Sequence, residues 1–113
     1  MHELGIVFEI IKTVEAIAVE NKLTHISEIV LQIGELSSVI PRYIESCYPA
    51  AVDGTMLEQT QLRIEILPGN VRCRQCSKIY NLLAEKNQCP NCQSEQWELL
   101  SGREFLIKEI LAC

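Results

Sequence analysis

Apolar residues near the start of the chain recur at helical spacing. Leu4, Val7, Ile11, Val14 and Ala18 fall on one side of a 3.6-residue repeat, with Glu9, Lys12, Thr13 and Glu20 opposite. The pattern predicts an amphipathic helix over 4–22. Ile6, Phe8, Ile10 and Ile17 widen its stripe, as expected of a helix lying on a sheet, and Asn21-Lys22 supplies the stop. The period then becomes two: Ile29, Leu31 and Ile33 alternate with Glu28, Val30 and Gln32 up to Gly34, which predicts a strand. Pro41 suits the first turn of a second helix reaching about Val52, with Asp53-Gly54 as its end. Pro49 is expected to kink or shorten that helix, because it offers no N–H and its ring crowds the preceding turn. Leu62, Ile64 and Ile66 alternate with Arg63 and Glu65 as another strand, closed by Pro68-Gly69-Asn70. After a Ser101-Gly102 turn, Arg103–Leu111 reads as the last strand.

Two strands joined by a helix favour a right-handed crossover between parallel neighbours. The fold class expected is α+β: a small three-stranded mixed sheet with two helices on one face, over residues 1–69 and 99–113. A separate module at 70–98 is inserted before the final strand.

Composition narrows the chemistry. The chain has 113 residues, 48% of them hydrophobic, enough for a real core, yet it lacks the roughly 18 uninterrupted apolar residues of a membrane span. Ten basic against fifteen acidic residues give a net charge of −5, which argues against a nucleic-acid binder relying on Lys and Arg. The start shows neither a basic region nor a small-residue cleavage site, so a cytoplasmic, reducing location is expected. There, clustered cysteines bind metal more often than they form disulfides.

Of six cysteines, four fall into two pairs, Cys73-x2-Cys76 and Cys89-x2-Cys92, separated by twelve residues; Cys47 and Cys113 stand apart. Two residues between thiols let a tight turn aim both sulfurs at one ion, and two such knuckles complete the tetrahedron Zn²⁺ accepts. In the second knuckle, Pro90 fixes φ and Asn91 tolerates the turn. Ile79–Leu83 can supply a hairpin arm, making 70–98 a zinc ribbon. Disulfide pairing and a redox CxxC centre are the rival readings, the latter without its usual βαβ surroundings. Four thiolates leave no open position, so such a zinc is structural, and a zinc enzyme would need both an open position and a base beside it. Zinc with four thiolates adds −2, taking the chain from −5 to about −7. Cys47 is expected to be a small buried hydrophobe on the second helix. His25, just before a strand, is expected to face solvent or to be satisfied by hydrogen bonds.

His2 has more specific chemistry. Removal of Met1 normally requires a small second residue, so Met1 is expected to keep the free α-amine. That amine, the amide nitrogen of His2 and its Nδ1 can chelate one ion in a five-membered and a six-membered ring. Binding through the amide requires its deprotonation, which Ni(II) and Cu(II) are best suited to drive. Glu3 can fill the remaining position.

Together these residues resemble the HypA/HybF family of hydrogenase nickel-incorporation proteins. The likeness lies in the Met1-His2-Glu3 opening followed by an apolar helix, and in Ile33-Gly34-Glu35-Leu36-Ser37 closing the first strand. It continues through Gly54-Thr55, the strand at Leu62–Ile66 and the Cys73/Cys76/Cys89/Cys92 quartet. The resemblance implies a metallochaperone, not an enzyme, delivering Ni²⁺ to the [NiFe]-hydrogenase large-subunit precursor together with a HypB-type GTPase. It implies His2 as the essential nickel ligand, with the Met1 amine and Glu3 beside it, and the four cysteines as ligands of structural Zn²⁺. The expected state is a monomer or weak homodimer with no nucleic-acid or membrane partner. Val39-Ile40-Pro41 departs from the acidic or polar stretch many members carry there, and Pro49 departs from a commonly regular helix. A zinc-ribbon interaction module with no nickel role is the alternative; it would present a basic face, which this chain lacks.

Overall fold

A computed structural model of the chain describes residues 3–112. In chain order the elements are α1 (Glu3–Glu20), β1 (Ile26–Gly34), α2 (Pro41–Val52), β2 (Gln61–Leu67), β3 (Asn70–Cys73), β4 (Ile79–Asn81), β5 (Trp97–Leu99) and β6 (Phe105–Ala112). They form two three-stranded sheets, ordered β2-β1-β6 and β4-β3-β5. The described residues gather into two compact units, one of residues 3–32, Val39–Glu65 and 106–112, the other of Ile33–Ser38 and Ile66–Phe105.

In the first unit, α1 buries Val7, Ile10, Ile11, Val14 and Ala18, the stripe expected from the sequence. Leu4 and Phe8, expected on the same apolar side, are instead 42% and 47% exposed. The helix ends with Lys22 at φ 56°, while the Leu23 N–H reaches the Ala18 carbonyl at 2.8 Å and that of Lys22 reaches Val19 at 3.2 Å. This left-handed closure satisfies carbonyls that the last turn would otherwise leave open.

Helix α2 starts at Pro41, whose missing N–H costs nothing in a first turn. Pro49 does not shorten it: the helix continues to Val52. Pro49 removes one N–H from the ladder, and the residues before and after it stay helical. Tyr48 beside it donates to the Thr60 carbonyl at 2.9 Å, and the Thr60 hydroxyl donates to the Ile26 carbonyl at 2.6 Å. Cys47 is half-buried rather than fully buried.

Side-chain and backbone bonds give the strand directions. Thr60 meets Ile26, Gln32 meets Glu65 and the Glu35 N–H meets the Leu67 carbonyl, so β1 and β2 run parallel. Ser27 meets Leu111 and Gly34 meets Glu104, so β6 runs antiparallel to β1. The mixed sheet expected from sequence is therefore present, with α2 carrying the parallel crossover and both helices on one face. Its polar face bears Arg63, 3.0 Å from Glu65 and 3.5 Å from Glu28, and Lys108, 3.1 Å from Glu65. Lys108 and then Gln32 hold the Glu65 carboxyl below its ordinary range.

In the second unit, β3 is the central strand of an antiparallel sheet. Val71 lies opposite Tyr80 of β4 and Leu99 of β5, and Cys73 lies opposite Trp97. Its small core comprises Val71, Cys73, Tyr80, Leu82 and Cys89, with Leu36, Cys76, Cys92 and Trp97 packed against it.

Candidate metal centre

Both cysteine pairs fold into the same turn. In the first, the Ser77 N–H donates to the Cys73 carbonyl at 3.0 Å and the Cys73 N–H to the Lys78 carbonyl at 2.8 Å. In the second, Gln93 donates to the Cys89 carbonyl at 2.9 Å and Cys89 to the Ser94 carbonyl at 3.0 Å. The residue after each second cysteine turns left-handed, Ser77 at φ 67° and Gln93 at φ 63°. Asn and Gly enter this region most readily, so its occupation here reflects the demands of the turn rather than intrinsic preference.

The two turns face one another. Cys73 Sγ lies 3.5 Å from Cys92 Sγ, and Cys76 Sγ 3.6 Å from Cys89 Sγ. All four sulfurs fall within 4.8 Å of each other. Four sulfurs at about 2.3 Å from a tetrahedral Zn²⁺ would be about 3.8 Å apart, so the residues fit this ion. Among the described residues, these are the His, Cys, Asp and Glu side chains grouped closely enough to hold a metal.

Electrostatics agree with a cation at the centre. Cys76 is pulled down to about 6, first by a hydrogen bond from the Asn91 side chain and then by the Lys78 N–H. Cys73 is lowered too, chiefly by the Cys76 N–H, with the Gln75 N–H 3.4 Å from its sulfur. Cys92 moves the other way, to about 12: the Ser94 N–H lowers it, but neighbouring thiols and burial prevail. The quartet thus gives up some protons readily and holds others against accumulating negative charge. A divalent ion at the centre would remove that opposition. With every position taken by sulfur, such an ion could hold the fold but not activate water.

Two supporting contacts were not legible in the sequence. Asn91 suggested only a turn former, yet its amide serves Cys76. Glu35 accepts from the Gly69 N–H at 2.7 Å and from the Asn81 amide at 2.6 Å, fastening the loop before β3. First Gly69 and then Asn81 lower its carboxyl from the ordinary range. The Gly-Glu-Leu-Ser segment was visible as a motif, but its partner lies 34 residues away in sequence.

Of the expected nickel ligands, Glu3 opens α1 and is half-buried, whereas Met1 and His2 lie outside the described residues. Cys113 does as well, and His25 is exposed.

Comparison with known proteins covers nearly the whole chain. Residues 1–112 match the family described as HypA, hydrogenase/urease nickel incorporation, metallochaperone. The hydrogenase maturation factor HypA of Trichodesmium erythraeum is 39% identical over 110 residues, covering 97% of this chain and 94% of its own. That of Dehalococcoides mccartyi is 36% identical over 110 residues, covering 97% and 92% respectively. The solution structure of the Ni metallochaperone HypA from Helicobacter pylori shares the fold at a TM-score of 0.66, with 22% identity and coverage of 99% of this chain and 97% of that one. A second solution structure of a HypA protein gives a TM-score of 0.71 at 23% identity, covering 100% and 97%. The fold, the four gathered thiols and the whole-length match converge: this chain belongs to the HypA family of nickel-incorporation metallochaperones.

Proposed function

We propose that this chain carries Ni(II) at its Met1-His2-Glu3 start and delivers it to the [NiFe]-hydrogenase large-subunit precursor, working with a HypB-type GTPase in the cytoplasm. The observation carrying this reading is the family match from residue 1 to 112, which includes His2 in the matched stretch. His2 contributes Nδ1 and its amide nitrogen, Met1 its α-amine, and Glu3 the remaining donor. Ni(II) drives loss of the amide proton, so protonation at the site favours release.

The labour divides between residues 1–69 with 99–113, which serve nickel, and 70–98, where Cys73, Cys76, Cys89 and Cys92 hold structural Zn²⁺. Zinc takes no part in a reaction; it fixes a platform on which a partner can dock. Expression in a host lacking its own factor of this family tests the proposal. The wild-type chain should restore nickel to the hydrogenase large subunit, while His2→Ala should retain zinc and fail to restore nickel. Full restoration by His2→Ala would refute the assignment.

A further inference from the structure

Strand β2 lies at an edge of its sheet, with β1 as its neighbour. The Glu35 N–H donates to the Leu67 carbonyl at 2.9 Å, so Leu67 turns its peptide groups to the β1 side. These groups alternate sides along a strand, so Arg63 and Glu65 face the same way, while Leu62 and Ile64 face outward. Among the described residues, no bond from another element reaches those outward N–H and C=O groups. An unpaired row of this kind is a template for a further strand.

A cleft of about 710 Å³ borders this edge. Tyr48, Pro49 and Val52 of α2 form one wall, and Leu62 and Ile64 of β2, both half-buried, form the other. Arg63 also borders the cleft, but its guanidinium is held by carboxylates, 3.0 Å from Glu65, 3.5 Å from Glu28 and 3.8 Å from Glu109. The remaining charged side chains on the cleft are Glu45 and Glu58, both exposed. Glu58 is fixed there by the Gly54 N–H, which donates to it at 2.6 Å.

We propose that the cleft between α2 and β2 takes an extended peptide segment of basic and apolar residues, which joins the sheet as a fourth strand. The outward groups of Leu62 and Ile64 pair with the peptide backbone. An apolar side chain rests on Leu62, Ile64 and Val52, and Lys or Arg on the same face meets Glu45 and Glu58. Main-chain bonds supply affinity in such strand addition, and alternate side chains supply selection. Charge decides between occupants: a second copy of this chain would bring the same two carboxylates and a net charge of −5, whereas a basic segment complements them. The inference stands apart from the nickel assignment, since none of these groups is a proposed metal ligand.

The test titrates the full chain with the peptide acetyl-Ser-Lys-Thr-Val-Thr-Lys-Ser-amide, whose two lysines and valine share one face of a strand. Amide exchange at Leu62 and Ile64 should slow about tenfold at saturation. Glu45→Gln, at an exposed position where folding is not at stake, should weaken binding about threefold, as loss of one exposed ion pair does. The peptide with glutamate in place of both lysines should not bind. Two further peptides carry N-methyl groups, one on the lysine and valine amides, the other on the serine and threonine amides. Strand addition uses alternate amides, so one set should lose binding and the other keep it. Equal behaviour of the two sets, binding of the glutamate peptide, unchanged affinity in Glu45→Gln, or no binding of the parent peptide would each overturn the proposal. Protection of Leu62 and Ile64 that rises with protein concentration in the free chain would assign the edge to a second copy and overturn it as well.

Discussion

Gly102 takes φ 113°, and a Cβ added there would come within 2.5 Å of the Gly69 Cα. A Cβ on Gly34 would in turn run into the Gly102 carbonyl. Gly34 and Gly102 thus let backbone pass against backbone, and Gly69 leaves room for the Leu36 side chain. Gly102→Ala should destabilise the protein by about 2–3 kcal/mol in denaturant unfolding, from added bulk and an unfavourable φ together. Gly5→Ala is the contrast, since its position on α1 leaves nothing within 4 Å of an added Cβ. It should be neutral or gain about 0.5–1 kcal/mol through helix propensity. The sequence marked Gly34 and Gly102 as ends of elements, but not that they would touch; close approach between distant segments leaves no local pattern. The cysteines were the opposite case. Spacing alone picked out the four that gather, because a knuckle is local chemistry, repeated here with the same hydrogen bonds and the same left-handed exit.

Element boundaries were legible wherever period and punctuation agreed. Helix α1, strand β1 and strand β2 follow the alternation that predicts them, and α2 begins at its proline. The three-residue β5 was not legible: Trp97–Leu99 is too short to show a period and exists through its pairing with β3. Leu4 and Phe8 fit a helical stripe yet remain outside the core, because periodicity gives a face but not how much of it is covered. Glu35 binds the end of β1 to the loop before β3, and its effect depends on pH. Its folded pKa lies below its ordinary value of 4.5. The stability it contributes is therefore present above the unfolded pKa and is lost as pH falls through the folded one. Glu35→Gln should be less stable than wild type at neutral pH, and the difference should shrink as pH drops below about 4.5. Denaturant midpoints for both proteins across pH 3–7 check this; a gap constant with pH would contradict it.

At the scale of the whole molecule, two kinds of packing coexist. The first unit has helices and a sheet with an apolar core of its own, including Val14, Ile29, Leu31 and Ile44, all fully buried. The second relies on a handful of apolar side chains and four sulfurs, too little to hold three short strands without help. Chelation of zinc should therefore erase the dispersed amide resonances of β3, β4 and β5 while helical circular dichroism largely persists, and added zinc should restore them. Loss of the helical signal in parallel would show that the metal supports the entire fold. A different metal, nickel, is proposed for the Met1-His2-Glu3 start, of which the structure describes only Glu3. Nickel titration into zinc-loaded protein beginning at Met1, followed by calorimetry beside His2→Ala, tests that claim most directly. It predicts one nickel bound per chain by the wild type, with proton release rising at lower pH, where the imidazole and the α-amine start out more fully protonated, and no comparable binding by the variant. Equal nickel affinity in His2→Ala would contradict it.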